Sequence, residues 1–233
     1  MIASDTILKG EIILEYDLYV QLGLLAWTVI GFIIGSCCFL RKGGALYPKM
    51  VTMGIGCAML GRLYNVAALL AGVHTRTEFN VGLLGVTGSI LFLYAANYGQ
   101  IDSLTDDGSR ENRKYRRLAW LAPLADLLLF LPVLTARTNI ETKAVCGAVT
   151  FFAMLASYYH LKHLIIPDVL CGIARSIRGY NIIALIYCAA SVFEFTAYVC
   201  DWMFPLHVAY TIGGLCLVLI TPVLKKGVRS WTI

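Results

Sequence analysis

Tyr187, Ser191, Glu194, Tyr198 and Asp201 recur at spacings of four, three, four and three within the apolar stretch 181–203. On an α-helix those spacings place all five side chains on one face. Glu194 lies well inside the run, and a carboxylate there costs about 3 kcal/mol or more unless it is paired, hydrated or protonated. Such a group can bind a cation, exchange a proton or tie one helix to another.

Two more ionisable residues, Arg62 and Asp126, fall inside apolar stretches, and Asn65 follows Arg62 by one helical turn. An arginine keeps its charge, so it needs a carboxylate, carbonyls, water or an anion. Asp126 is its expected counter-charge. If their helices converge, Arg62, Asp126 and Glu194 form a triad whose protonation states depend on one another, as proton-coupled transport requires. Asn65, Tyr187, Ser191 and Tyr198 would line the same polar cavity. Asp201, His207, His74 and Tyr210 fall at the same expected end of their segments and would rim its outer mouth.

The elements that must position these side chains follow from composition. Of the 233 residues, 59% are hydrophobic and 14% charged, against about 25% charged in soluble domains. The chain therefore reads as an all-α, multi-pass membrane protein. Allowing about 20 apolar residues per crossing, seven transmembrane helices are expected, at 18–40, 47–73, 81–99, 118–136, 144–163, 180–200 and 206–224. Residues 1–17 form an extracytoplasmic tail rather than a cleaved signal, because Lys9, Glu11 and Glu15 interrupt their apolar residues. Residues 225–233 form a basic cytoplasmic tail. Fourteen of the nineteen Lys and Arg residues fall on the carboxyl-terminal side of the membrane, four on the other, and Arg62 within a span. That asymmetry predicts an amino terminus outside and a carboxyl terminus in the cytoplasm, at a cytoplasmic (plasma) membrane.

Between spans, 100–117 reads as a solvated cytoplasmic loop. Residues 168–178, bounded by Pro167 and Gly179, read as an amphipathic helix lying on the inner leaflet. His160 and His163 are placed one turn apart at the inner surface. Gly31 and Gly35 mark a close helix crossing. The eight cysteines form no CxxC pair; most read as small buried hydrophobes, and a Cys146–Cys200 disulfide is left open. Residues 56–79 align without gaps with 172–195 at an offset of 116, pairing Arg62 with Arg178, Asn65 with Asn181 and Glu78 with Glu194. A parallel 3+1+3 repeat would fit the topology.

Several chemistries are disfavoured. Every lysine lies in a tail, a loop or a span end, which argues against a covalently held retinal. The four histidines are divided between opposite faces, which argues against a zinc hydrolase, and no interior histidine stands at a serine's depth as a serine protease would need. No metal, no cofactor and no nucleic acid are expected. The favoured function is a small membrane transporter or channel for an ion or small polar solute, with proton coupling. A seven-helix receptor-like sensor acting through a cytoplasmic partner comes second, and a lipid-modifying enzyme third. Expected partners are membrane lipid, the small polar ligand or ion, and either a second copy in a homo-oligomer or a cytoplasmic partner.

Overall fold

The computed structural model describes residues 2–40, 45–72, 81–167 and 172–229, with side chains from Asp17 onward except at Ile173 and Ala174. Those residues are helical throughout their ordered elements, with no strand among them. In chain order the helices are α1 (Ile2–Phe39), α2 (Leu46–Leu70), α3 (Gly82–Ala96), α4 (Asp102–Thr105), α5 (Arg113–Leu118), α6 (Leu121–Thr135), α7 (Ile140–Ile165), α8 (Ile173–Ser176), α9 (Arg178–Val199) and α10 (Met203–Arg229). A π-helical turn, Asn97–Ile101, joins α3 to α4 without a break.

Six helical stretches among the described residues are long and apolar enough to cross a membrane: Asp17–Phe39, Leu46–Leu70, Arg113–Thr135, Ile140–Ile165, Arg178–Val199 and Met203–Arg229. The expected third span differs. Its helix, α3, has 15 residues, or about 22 Å at 1.5 Å per residue, and reaches further only through the π turn and α4. The sixth span starts at Arg178, two residues before its expected start at 180. The interfacial helix expected over 168–178 is not found as one element. Residues 168–171 lie outside the described residues, and the remainder is the single turn α8 followed at once by α9.

The helices form a closed ring in the order α1, α2, α3, α7, α9, α10 and back to α1, and α6 packs outside it against α7 and α9. α6 shows why the ring belongs in lipid. Leu121, Leu124, Leu127, Leu128, Leu131 and Leu134 recur at helical spacing and are all exposed, whereas Ala122, Asp126 and Val133 are buried. An unbroken leucine face is stable against hydrocarbon and a liability against water. Pro132 deprives the Leu128 carbonyl of its helical donor, and at the neighbouring carbonyl, Leu129 O, Thr196 of α9 donates at 2.8 Å.

Small residues let the ring close. Gly61 on α2 meets Gly82 and Gly85 on α3 so closely that a methyl group at any of the three would strike backbone or the Asn65 amide. Gly31 lies against the Leu217 carbonyl of α10, and Gly35 against Thr52 of α2. Such contacts let helices gain dispersion energy where lipid supplies no hydrophobic drive for association.

Candidate functional site

The stripe on α9 meets α2 and α10 at Glu194. Arg62 Nη2 donates to both carboxylate oxygens, at 2.7 and 2.9 Å. The pair is nearly buried, with side-chain exposures of 11% for Arg62 and 9% for Glu194. The Arg62 guanidinium carbon also lies 5.2 Å from the centre of the Tyr210 ring on α10, so an aromatic face supplements the carboxylate. The expected pairing of Arg62 with Asp126 is therefore corrected: its ion-pair partner is Glu194, because α6 packs against α7 and α9 on the far side of the ring. Asp126 is 2% exposed and its Oδ2 has no hydrogen-bond partner. The triad reduces to a pair, with Asp126 a separate buried carboxyl.

Above the pair opens a cleft of about 570 Å³, counting its open mouth, lined by Asp17, Val20 and Gln21 of α1, Asn65 and Leu69 of α2, Leu83 of α3, Glu194, Phe195 and Tyr198 of α9, and Leu206, His207 and Tyr210 of α10. Below it lies a narrow recess with room for about one water, whose walls include Thr28, Arg62, Tyr187, Glu194, Gly213 and Gly214. Glu194 borders both spaces; Arg62 borders only the second. Asn65 reaches Gln21 Oε1 with its amide nitrogen at 3.4 Å, while its Oδ1 is buried without a partner. Gly82 makes room for that amide.

Of the expected cavity residues, Arg62, Asn65, Glu194, Tyr187 and Tyr198 thus come together around one pair of spaces. Ser191 is buried beside them, but its hydroxyl donates to the Tyr187 carbonyl one turn back at 2.8 Å and is spent within its own helix. Of the expected mouth, His207 and Tyr210 line the cleft. Asp201 does not: it is exposed in the turn between α9 and α10, with φ of 57°. His74 lies outside the described residues.

A second polar centre occupies the other end of the ring, and the stripe gave no sign of it. The Tyr47 hydroxyl donates to Asn97 Oδ1 at 2.9 Å, and the Asn97 amide donates to Asn181 Oδ1 at 2.8 Å. His160 Nδ1 lies 2.7 Å from that same amide nitrogen and 3.0 Å from Asn181 Oδ1. Asn97, His160 and Asn181 are fully buried. They come from the π turn, α7 and α9, and Tyr47 comes from α2, so the network ties four sides of the ring. A π turn frees one backbone register and marks functional sites in many helices; here it carries Asn97.

One turn beyond, charges fold the stretch read as a solvated loop. Lys162 Nζ lies 2.6 Å from Asp102 Oδ1 and 2.8 Å from Asp106 Oδ2. Arg116 pairs with Asp106 at 2.7 Å and donates to the Ser109 carbonyl at 2.6 Å. His163 Nε2 is 3.1 Å from Asp102 Oδ1. Burial by itself would raise the Asp106 carboxyl; Lys162, the Gly108 amide and Arg116 outweigh it and hold that carboxyl below the usual range. Asp102 and Asp106 are thus tied to α7, while most of 107–117 is solvent-exposed; the His160 and His163 rings, expected at the inner surface, are fully buried within the protein.

No group of three or more metal-ligating side chains occurs among the described residues. Cys146 and Cys200 are both free thiols, so no disulfide joins them. Five aromatic rings, Tyr94, Tyr98, Tyr159, Tyr158 and Trp120, form a chain of contacts at centroid distances of 5.1–5.6 Å beside the charged cluster, where an interfacial belt would lie. Comparison of the chain with protein-family models, with curated proteins and with solved structures returns no match.

Proposed function

We propose that this protein is a transporter of a small polar solute or ion, spanning a cytoplasmic membrane seven times with its amino terminus outside. The seventh crossing in this reading is α3 prolonged by the π turn and α4, about 36 Å of continuous helix from 82 to 105. The orientation is supported by Arg113, Lys114, Arg116 and Arg117 clustering at the end opposite the cleft. The ring order supports two three-helix halves, α1–α2–α3 and α7–α9–α10, linked by α6. The ungapped 116-residue alignment fits that division less well, since Arg62 is mid-helix in α2 while Arg178 begins α9.

The observation that carries the reading is the position of the Arg62–Glu194 pair, at the floor of an open cleft and the roof of a narrow recess. A structural tie needs no cavity on either side of it. A carboxylate exchanging between a guanidinium and an incoming solute or proton needs one on both. The buried Tyr47–Asn97–His160–Asn181 network then serves as the closed end of the path.

The test is flux in proteoliposomes, following pH with a trapped dye while a panel of small ions and polar solutes is added outside. Solute-dependent proton movement that Arg62→Gln/Glu194→Gln abolishes is the expected result. Tight vesicles with every solute, alongside folded protein, would sink the proposal. The folded charged cluster over 102–116 favours one second reading, a sensor that offers this rigid cytoplasmic surface to a partner protein. Stable capture of one partner through that surface, without flux, is the outcome that would replace transport with sensing.

A further inference from the structure

We infer that the basic end of α5–α6 binds an anionic phospholipid, with the headgroup on Arg113 and Arg117 and the acyl chains along the leucine face of α6. The inference goes beyond the transport reading and needs nothing from the cleft. Arg113, Lys114, Tyr115, Arg116 and Arg117 put four cations into five consecutive residues. Arg116 is spent inside the protein: it pairs with Asp106 at 2.7 Å and donates to the Ser109 carbonyl at 2.6 Å. Arg113, Lys114 and Arg117 are exposed, as is Arg110 before them, and no acidic side chain among the described residues pairs with any of the four. Lys114 reaches only the ring of Tyr115, at 4.9 Å. The acids of the stretch are mostly engaged elsewhere. Asp102 and Asp106 meet Lys162, and Asp107 accepts from the Ser109 amide and the Asn112 side chain. Glu111 remains, one acid against four cations, and Arg113 and Arg117 repel each other at i,i+4. The surplus calls for a counter-charge from outside the chain.

A lipid can supply it because the cations continue directly into an apolar face. Trp120 N donates to the Arg117 carbonyl at 3.2 Å and Ala122 N to the Ala119 carbonyl at 3.3 Å, which carries α5 into α6, and Arg113–Thr135 forms one span-length stretch. Along it Arg113, Arg117, Leu121, Leu124 and Leu128 recur at spacings of four, four, three and four, so they share a face. All three leucines are exposed. Arg117 and Arg113 stand about 6 and 12 Å beyond Leu121 along the axis, and the headgroup layer of a leaflet is about 5–8 Å thick. Trp120, exposed and with its ring 5.2 Å from that of Tyr158 on α7, marks the boundary between the two. A guanidinium holds a phosphate group through paired N–H donors, and the leucines below it accept acyl chains, for which a free phosphate has no use. A zwitterionic headgroup brings its own cation to a site already crowded with them; a net-negative one does not. On the orientation proposed above, the lipid belongs to the cytoplasmic leaflet, where anionic lipids meet juxtamembrane basic clusters.

The experiment reconstitutes the full chain into phosphatidylcholine vesicles in which a minor fraction of the lipid is brominated phosphatidylglycerol or, in parallel, brominated phosphatidylcholine. Bromine quenches tryptophan on contact, and the part of the quenching that Trp120→Phe removes reports the lipid beside Trp120. Each basic residue beside an anionic lipid is worth about a factor of 5, so phosphatidylglycerol should be preferred there by at least about 5-fold. Arg113→Gln/Arg117→Gln, which changes two exposed side chains without acidic partners, should bring the two lipids to near parity while leaving quenching by brominated phosphatidylcholine as in wild type. Inorganic phosphate added at constant ionic strength should leave the wild-type preference in place. Equal quenching by the two lipids in wild type would overturn the inference and leave the basic face to a protein partner. A preference that survives Arg113→Gln/Arg117→Gln, or one that Trp120→Phe does not diminish, would overturn it by placing the anionic lipid elsewhere. Loss of the preference to phosphate would replace the lipid with a free anion.

Discussion

Removing the Glu194 charge should damage this protein more than removing both charges of its pair. In Glu194→Gln the guanidinium of Arg62 keeps its charge in a site 11% exposed, with a Tyr210 ring as its remaining support. A contact ion pair at an effective dielectric of about 20 is worth about 4 kcal/mol, and breaking a buried pair from one side costs about 3–5 kcal/mol because the survivor is uncompensated. The neutral pair Arg62→Gln/Glu194→Gln loses the attraction and the desolvation cost together, and two amides can hydrogen-bond across the gap. Its penalty should be about 1 kcal/mol. Unfolding in detergent should therefore show the double variant more stable than Glu194→Gln by about 2–4 kcal/mol, and a double-mutant cycle should be strongly non-additive. Additive single-variant effects, or a Glu194→Gln protein as stable as wild type, would refute the reasoning, since the pair would then be hydrated and mobile rather than buried and coupled.

Three other perturbations have definite outcomes. Asp106 titrates below the usual carboxyl range; its contribution is therefore fully present above that range and lost as pH falls through the depressed value. Acid unfolding monitored from about pH 5 to about pH 2 should show a smaller stability loss in Asp106→Asn than in wild type; parallel curves would count against the cluster. Gly85→Ala would push a methyl group into the Gly61 backbone and the Cys57 carbonyl, and the overpacking should cost about 1–3 kcal/mol in thermal unfolding, whereas Gly23→Ala, with open space around it, should be neutral. Asn97→Ala strips Tyr47, His160 and Asn181 of a shared partner and should cost about 2–3 kcal/mol; unchanged stability would mean that water already satisfies the network.

The membrane class and the stripe were readable because both rest on local properties. Apolar run length sets the helices, and helical spacing puts Tyr187, Glu194 and Tyr198 on one face whatever the tertiary arrangement. Which charge meets Arg62 is a different kind of question. Asp126 and Glu194 are equally apolar-flanked, and choosing between them needs the ring order, in which α6 stands outside. The inner network was illegible for a related reason. Tyr47, Asn97, His160 and Asn181 are far apart in sequence and fall at span ends, where water would satisfy them; nothing local says that four helices converge there. The mixed acids and bases at 102–117 looked solvated because charge patterning alone does not reveal Lys162, some 60 residues away, as their partner. Two signals did exist: Asn97 and Asn181 each adjoin an apolar run, and an asparagine there needs a partner as surely as a carboxylate does.

Helix α9 joins the two polar centres. It carries Asn181 in the inner network and Glu194 in the outer pair, 13 residues or about 20 Å apart along one rigid rod. It also contacts α6, α7 and α10, so it cannot tilt without changing at least one centre. Both centres hold α9 through groups that are buried or nearly so, and releasing one end leaves its donors and acceptors to be satisfied by a ligand, a proton or entering water. This makes the two ends exchangeable anchors: a solute that takes over Glu194 frees the outer end of α9 while the inner network still holds the other. On the transport reading, alternation then requires no hinge within α9, only that the two anchors are weakened in turn. Cross-linking α9 to α10, which pack closely together, through engineered cysteines near the cleft end but outside the cleft lining should therefore stop flux when oxidised and restore it when reduced; continued flux through the cross-linked protein would place the path elsewhere.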